Sequence, residues 1–385
     1  MASSSSSSPP PFPIIGILGG GQLGRMIALE AIRMGLSVRF LAPGDAGPMR
    51  GLGQSFTGDW TDADLLRQFG APCTAVTVES EWAPAEAAFQ ALGDGVPIWP
   101  SPETLHLIRH KGRQKTHLSG AGLPVAAFAR CAMLEEAVAA ARRFGYPVVA
   151  KQYRRSYDGY GNATVRSENE LRDVWSELSA DDGLMIEAFI PFQEELSVLV
   201  ARRPGGEHVV YPVAYTEQQV HRCYAVEVPA VVEPSVEAEA RRVAQKAVEA
   251  VGGVGVTAVE LFHTSDGQIL INELAPRPHN TGHYSIEACY TSQFENHLRG
   301  VLDLPLGVPE LREPVAVMVN ILGDRDGTAG AGGLEKALAI SGVSVHVYGK
   351  AAVRPGRKMG HVTATGRDRR ETRRRAEEAA SLMHL

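Results

Sequence analysis

Residues 14–18 read IIGIL, residues 19–24 read GGGQLG, and apolar side chains then recur at Met26, Ile27, Leu29 and Ile32. A short apolar run, a glycine turn and a helical period in succession make a strand–loop–helix unit. LSVRFL (36–41) and TAVTV (74–78) are the next strand-like runs. Strands that alternate with helices imply βαβ units and a parallel sheet. Pro97, Pro100 and Pro102 punctuate the chain and set a boundary near residue 100.

A second region follows. It has a helix-like stretch at 103–119 and a helix at 134–145 closed by Gly145. Strand runs come at 147–153, 184–188, 195–201 and 208–213, a helix at 235–251, and paired strands at 254–262 and 268–273. The proline-bearing stretch from Leu306 to Pro314 marks a second boundary, before a small β-rich unit at 315–365 with a short helix near 333–340. With 385 residues and about 100–200 residues per domain, two to four domains fit. Residues 1–13, MASSSSSSPPPFP, cannot bury apolar area and read as a disordered tail that is not a secretory signal. Residues 367–385 interleave Arg with Glu and read as a solvated surface helix.

Composition excludes several functions. A net charge of −6 argues against general nucleic-acid binding, and no stretch of 18 apolar residues offers a membrane span. The four cysteines form no CxxC pair, which suits reduced thiols and a cytoplasmic setting rather than zinc or disulfides.

Three segments carry chemistry. Gly19, Gly21 and Gly24 fit GxGxxG, a turn that aims N–H groups and a helix N-terminus at an anion. A dinucleotide would need an acid at the end of the second strand, where this chain has Ala42 and Pro43. The loop therefore reads as a phosphate site of another kind, or as a turn that packs helix on strand. Asp266-Gly267 is a hairpin signal, and a two-residue turn there sets Glu260 directly opposite Glu273. Two carboxylates about 5 Å apart at Cβ repel unless a cation or a proton lies between them. A shared divalent ion of the Mg²⁺ type resolves that, and an edge pair neutralised by Arg or Lys is the alternative. Lys151 ends a strand-like run before QYRRSYDGYGN, a loop with Gly159 and Gly161 that suits closure over phosphates or an ordinary surface turn.

The strings GILGGGQLGRM (16–26), YDGYGN (157–162), INELAPRPHNTGHY (271–284), SQFENHLRGVLDLPLG (292–307) and RPGRKMGH (354–361) are spread along the chain after its tail. Together they resemble the ATP-grasp superfamily, and within it the N5-carboxyaminoimidazole ribonucleotide synthase family. The resemblance implies an α/β (α+β) ATP-grasp fold. It would comprise a Rossmann-like domain at 14–100, a two-part ATP-grasp region at 101–310 with a lid near 122–188, and a small C-terminal domain at 311–385. It implies ATP-dependent carboxylation of 5-aminoimidazole ribonucleotide by bicarbonate through carboxyphosphate, with Mg²⁺ (up to two ions, Mn²⁺ as a substitute), and a homodimer.

Residue by residue, the resemblance gives ATP contacts at Lys111, Lys151, the lid loop Ser156, Tyr157, Asp158, Gly159, Tyr160, Gly161 and Asn162, the linker Glu187, Ala188, Phe189 and Ile190, then Glu195, Gln218, Asn272 and Glu273. Glu260 and Glu273 would hold the metal. Gly21, Gln22, Leu23, Glu79 and Asn280 would face the ribonucleotide, and Arg277, His279, Lys350, Arg357 and Tyr157 would serve the reacting groups. Relatives often read GGYDGRG where this chain has RSYDGYG, so Tyr160 stands where Arg is common. Arg154 or Arg155 is the substitute charge the sequence offers. The rivals are a formate-dependent glycinamide ribonucleotide transformylase, an NAD-dependent oxidoreductase and a non-catalytic nucleotide-binding paralogue. His106, His110 and His117 read as a solvated helix face, His361 as structural, and Trp60, Trp82, Trp99 and Trp175 as packing groups.

Overall fold

The computed structural model describes residues 12–44, 46–154, 160–180, 182–219 and 222–385. The chain begins with β1 (Ile14–Leu18), α1 (Gln22–Arg33), β2 (Ser37–Ala42), β3 (Gln54–Thr57), α2 (Ala63–Gly70), β4 (Ala75–Val78), α3 (Ala85–Leu92) and β5 (Ile98–Trp99). These five strands are all parallel, in the order β3-β2-β1-β4-β5. Ile15, Ile17, Leu18, Val76 and Val78 are fully buried, as strands covered on both faces require. The strand order reverses between β1 and β4, so the loops after those two strands open a crevice at the carboxyl edge of the sheet.

The helix-like stretch after the boundary is two helices, α4 (Pro102–Ile108) and α5 (Lys111–Gly120). His110 separates them in extended conformation and caps α5, its Nδ1 accepting from Arg113 N at 3.2 Å. His110 is buried and stacked on Tyr153, unlike the exposed His106 and His117, so the three do not share a solvated face.

A four-stranded antiparallel sheet follows, from β6 (Phe128–Cys131), α6 (Leu134–Phe144), β7 (Val148–Gln152), β8 (Asn162–Val165), α7 (Glu168–Leu178) and β9 (Leu184–Ala188), in the order β6-β9-β7-β8. Ala137, Ala140 and Ala141 of α6 and Leu171 of α7 pack on its inner strands.

The remaining elements are β10 (Phe192–Arg202), β11 (His208–Val210), β12 (Ala214–Gln219), β13 (Arg222–Val228), α8 (Pro234–Ala250), β14 (Gly255–Thr264), β15 (Ile269–Ala275), α9 (Ser285–Ala288), α10 (Gln293–Val301), β16 (Val315–Leu322), β17 (Gly327–Thr328), α11 (Leu334–Leu338), β18 (Val343–Val347), β19 (Ala352–Val353), β20 (Lys358–Gly366) and α12 (Arg369–Ser381). Eight of these strands run β15-β14-β10-β12-β13-β16-β20-β18, with β11 on β10. The β13–β16 pairing carries the sheet across the proline-marked boundary, so the C-terminal strands extend the central sheet. Helix α12 is not a solvated surface helix. Thr372, Ala376 and Ala379 are fully buried, and Arg373 bridges Glu217 and Glu227 at 2.6 Å each.

Candidate active site

The β14–β15 ladder sets Glu260 opposite Glu273, as the hairpin reading expects, but by another route. The turn spans Thr264 to Gln268, with Gly267 at φ 81°, and near it Leu261 faces Ile271. A bulge at Asn272 then shifts the register by one and restores the Glu260–Glu273 pair. The bulge has a second effect. Ile271 and Leu274 point into the apolar core, so Asn272 and Glu273, consecutive in sequence, are left on one face together.

That face meets lysines from two other elements. Lys111, the first residue of α5, pairs with Glu273. Lys151, on β7, pairs with Glu187 and donates to Asn272 Oδ1 at 3.3 Å. One turn beyond Lys111, Lys115 approaches Glu187 at 2.7 Å and donates to the carbonyls of Ile271 at 3.3 Å and Asn272 at 3.2 Å. Burial would raise the Glu187 carboxyl, but the two ammonium groups hold it down to about 2. Burial, Glu273 and Glu195 push Glu260 up to about 8. A carboxylate so disfavoured in its charged form is a fit for a divalent cation in place of the proton. Among the described residues no group of three or more His, Cys, Asp or Glu side chains forms a metal cage.

Between the two sheets the chain runs through Ala188, Phe189 and Ile190, with Phe189 exposed. Glu195 lies on β10 opposite Thr216 of β12. Burial raises its carboxyl, and the Gln218 side chain partly offsets this. Gly161 and Asn162 pair with Gln152 and Lys151, and Tyr160 is exposed. Ser156, Tyr157, Asp158, Gly159 and Arg155 lie outside the described residues.

At the switch point the glycine loop already holds an anion, the carboxylate of Glu79. It accepts from Gly21 N at 2.5 Å and Gly24 N at 2.8 Å. A Cβ on Gly19 would stand 2.6 Å from Glu79 Cδ, so the glycines make room for that carboxylate. These two N–H groups are thus taken up by a side chain of the same chain. Burial raises the Glu79 carboxyl, opposed by the N–H groups of Gly24, Gly21 and Gly20 and by Arg277. Gln22 is half-buried at the start of α1, while Leu23 packs into the N-terminal core.

Arg277 faces Glu81, with Nε 2.7 Å from Oε2. His279 Nδ1 is 2.9 Å from Thr281 Oγ1, and Nε2 is 3.7 Å from Glu260 Oε1. Asn280 is turned inward. Its amide and that of Asn320 bond reciprocally at 2.8 and 2.7 Å, so it does not present a free amide to the site. Lys350 donates to Lys358 O at 2.5 Å and Arg357 to Ala352 O at 2.7 Å, on the turns between β18 and β20. Gly349 meets Pro48 and Arg25 of the first unit, so these turns reach the glycine loop's neighbourhood. Sequence reasoning missed Lys115 and Glu81. A repeat of Lys four residues after Lys111, and the alternate acid in VESE, are the signals that could have found them.

Residues 13–109 match the ribonucleotide synthetase preATP-grasp domain, 116–294 the ATP-grasp domain, and 316–375 the phosphoribosylaminoimidazole carboxylase C-terminal domain. The N5-carboxyaminoimidazole ribonucleotide synthase of Synechococcus elongatus is 38% identical over 355 residues, covering 92% of this chain and 89% of that protein. The chain belongs to the N5-carboxyaminoimidazole ribonucleotide synthase family. The Thermotoga maritima member's crystal structure aligns with a TM-score of 0.86 at 38% identity, over 97% of this chain and 99% of that one. The Aspergillus clavatus synthase, solved with ADP and 5-aminoimidazole ribonucleotide, aligns at 0.86 and 33% identity, over 96% and 98%. The chain also covers 66% of the phosphoribosylaminoimidazole carboxylase of Schizosaccharomyces pombe, at 38% identity over 94% of its own length.

Proposed function

We propose that the chain carboxylates 5-aminoimidazole ribonucleotide with bicarbonate and ATP, giving N5-carboxyaminoimidazole ribonucleotide, ADP and phosphate. A bicarbonate oxygen attacks the γ-phosphorus and the bond to ADP breaks. The resulting carboxyphosphate gives up phosphate as the exocyclic amine takes its carbon and loses a proton. The observation that carries this reading is the Glu260–Glu273 pair faced by Lys111 and Lys151 at the end of the inter-sheet linker. Phosphoryl transfer needs positioning and charge neutralisation more than covalent catalysis.

In this reading Lys111 and Lys151 hold ATP phosphate oxygens, and Glu187 keeps the Lys151 ammonium on its aim. Glu260 and Glu273 would hold Mg²⁺, which supplies charge for the phosphates when bound. Phe189 offers a flat apolar face to the base, and Glu195 an acceptor to the ribose. Glu79 would contact the aminoimidazole, with Arg277 and His279 beside the bicarbonate. Lys350 and Arg357 would take the ribonucleotide phosphate. A homodimer in a reducing compartment completes the proposal, and the four buried free thiols suit that compartment.

The test is ADP release from Mg-ATP in bicarbonate buffer, with and without 5-aminoimidazole ribonucleotide. Stimulation by the ribonucleotide, lost by about 100-fold in Glu273→Ala, is the expected result. Unstimulated release, or stimulation only when formate replaces bicarbonate and glycinamide ribonucleotide the acceptor, would overturn it.

A further inference from the structure

Arg222 opens β13, on the hairpin that also carries Gln218. Its Nη2 donates to the Tyr160 hydroxyl at 3.2 Å, and its guanidinium lies 5.8 Å from the centre of that ring. On another side it rests on Gly356, where a Cβ would stand 2.6 Å from Arg222 Cζ. Gly356 also has a φ of 74°, so the position favours glycine on two counts. The turn beneath is anchored, with Gly356 N donating to Gly323 O at 2.7 Å and Gly323 N to Arg357 O at 2.8 Å. The guanidinium is thus seated between the residue that leads into β8 and the turn that carries Arg357.

Its charge calls for a ligand. Arg277 is matched by Glu81, but among the described residues no carboxylate pairs with Arg222 or Arg357. Arg154, a replacement charge the sequence offered, is 3.9 Å from Asp182 instead. Lys358, two residues past Gly356, is close enough for its charge to act on Glu260. A guanidinium that rests on the turn leading to Lys358, with no carboxylate partner among the described residues, fits a multiply charged anion.

We propose that Arg222 supplies the guanidinium that binds the phosphoryl group as it passes from ATP to bicarbonate. The charge comes from a strand of the central sheet, and Tyr160 and Gly356 hold it in place before the reaction. Preorganised charge of this kind acts without reorganisation during transfer. The inference rests on the ligase reading above.

The experiment compares ADP release by wild type, Arg222→Ala, Arg222→Lys, Tyr160→Phe and the Arg222→Ala/Tyr160→Phe double variant, with ATP and the ribonucleotide each varied. Arg222→Ala should lower kcat about 100-fold and leave both KM values within about three-fold. The double variant should be no worse than Arg222→Ala, and Arg222→Lys should fall between it and wild type. Added guanidinium salt should restore part of the lost kcat in Arg222→Ala only, which a folding defect would not allow. A kcat for Arg222→Ala within about two-fold of an active wild type overturns the inference alone. A raised KM for the ribonucleotide at unchanged kcat also overturns it, because the charge would then serve the ribonucleotide phosphate. A wild type without ribonucleotide-stimulated release overturns the ligase reading and this inference with it.

Discussion

Lys115 is one helical turn from Lys111, yet the two do different work because their surroundings differ. The Lys111 side chain keeps 15% of its surface exposed beside Glu273, whereas the Lys115 side chain keeps 4% and is closed over by Glu187 and two carbonyls. Burial lowers the Lys115 ammonium, and Glu187 opposes that shift. Lys115→Met keeps the apolar stem but leaves Glu187 with Lys151 alone. Breaking a buried pair from one side costs about 3 kcal/mol, so melting should shift down and the KM for ATP should rise together. A variant that melts like wild type would sink the argument. The acid limb has a definite sign. Glu187 is held down to about 2, so its stabilisation is complete above the usual range near 4.5 and is lost as pH falls toward 2.

The bulge at Asn272 belongs to the scale of the element. Without it, alternation along β15 would put Ile271 and Glu273 on one side and Asn272 on the other. With it, Asn272 and Glu273 both serve the site while Ile271 and Leu274 stay in the core. Deleting Asn272 therefore yields a regular ladder that still sets Glu273 against Glu260 and keeps both apolar residues inside. The deletion should fold, with melting within a few degrees of wild type, yet bind ATP more weakly because Lys151 loses its amide partner. Unfolding, or unchanged ATP affinity by calorimetry, would contradict this account.

At the scale of the whole molecule, buried neutral histidines join the units. His297 Nδ1 accepts from Val256 N of β14 at 3.1 Å, so its Nε2–H is left to donate to Thr77 Oγ1 of β4 at 2.8 Å. Burial lowers His297 to about 3, and it pushes His283 and His361 well below their ordinary value too. The unfolded chain takes up a proton near pH 6.5 that folded His297 refuses until about 3. Stability should then fall as pH drops through that window, by about 1.4 kcal/mol per pH unit for this one group. His297→Gln should be less stable than wild type at pH 8 but flatter between about 6.5 and 4.5, as read by urea melts. An equal slope in both proteins would remove His297 from the account.

Much of this was legible in the chain because its causes are local. The apolar period and Gly145 define α6, and strand–glycine–helix order defines the first parallel unit. A turn signal between two apolar strands was enough to pair Glu260 with Glu273, even though the turn itself is longer. Tertiary structure decided the rest, since the deciding contacts lie far apart in sequence. Nothing within GGGQLG shows that Glu79, more than 50 residues on, fills the anion seat at α1. Nor does the Arg/Glu alternation of α12 reveal that Ala376 and Ala379 are buried. Local pattern fixes which backbone a segment prefers. Which side chain meets which charge is set by long-range packing, and the chemistry of the site resides there.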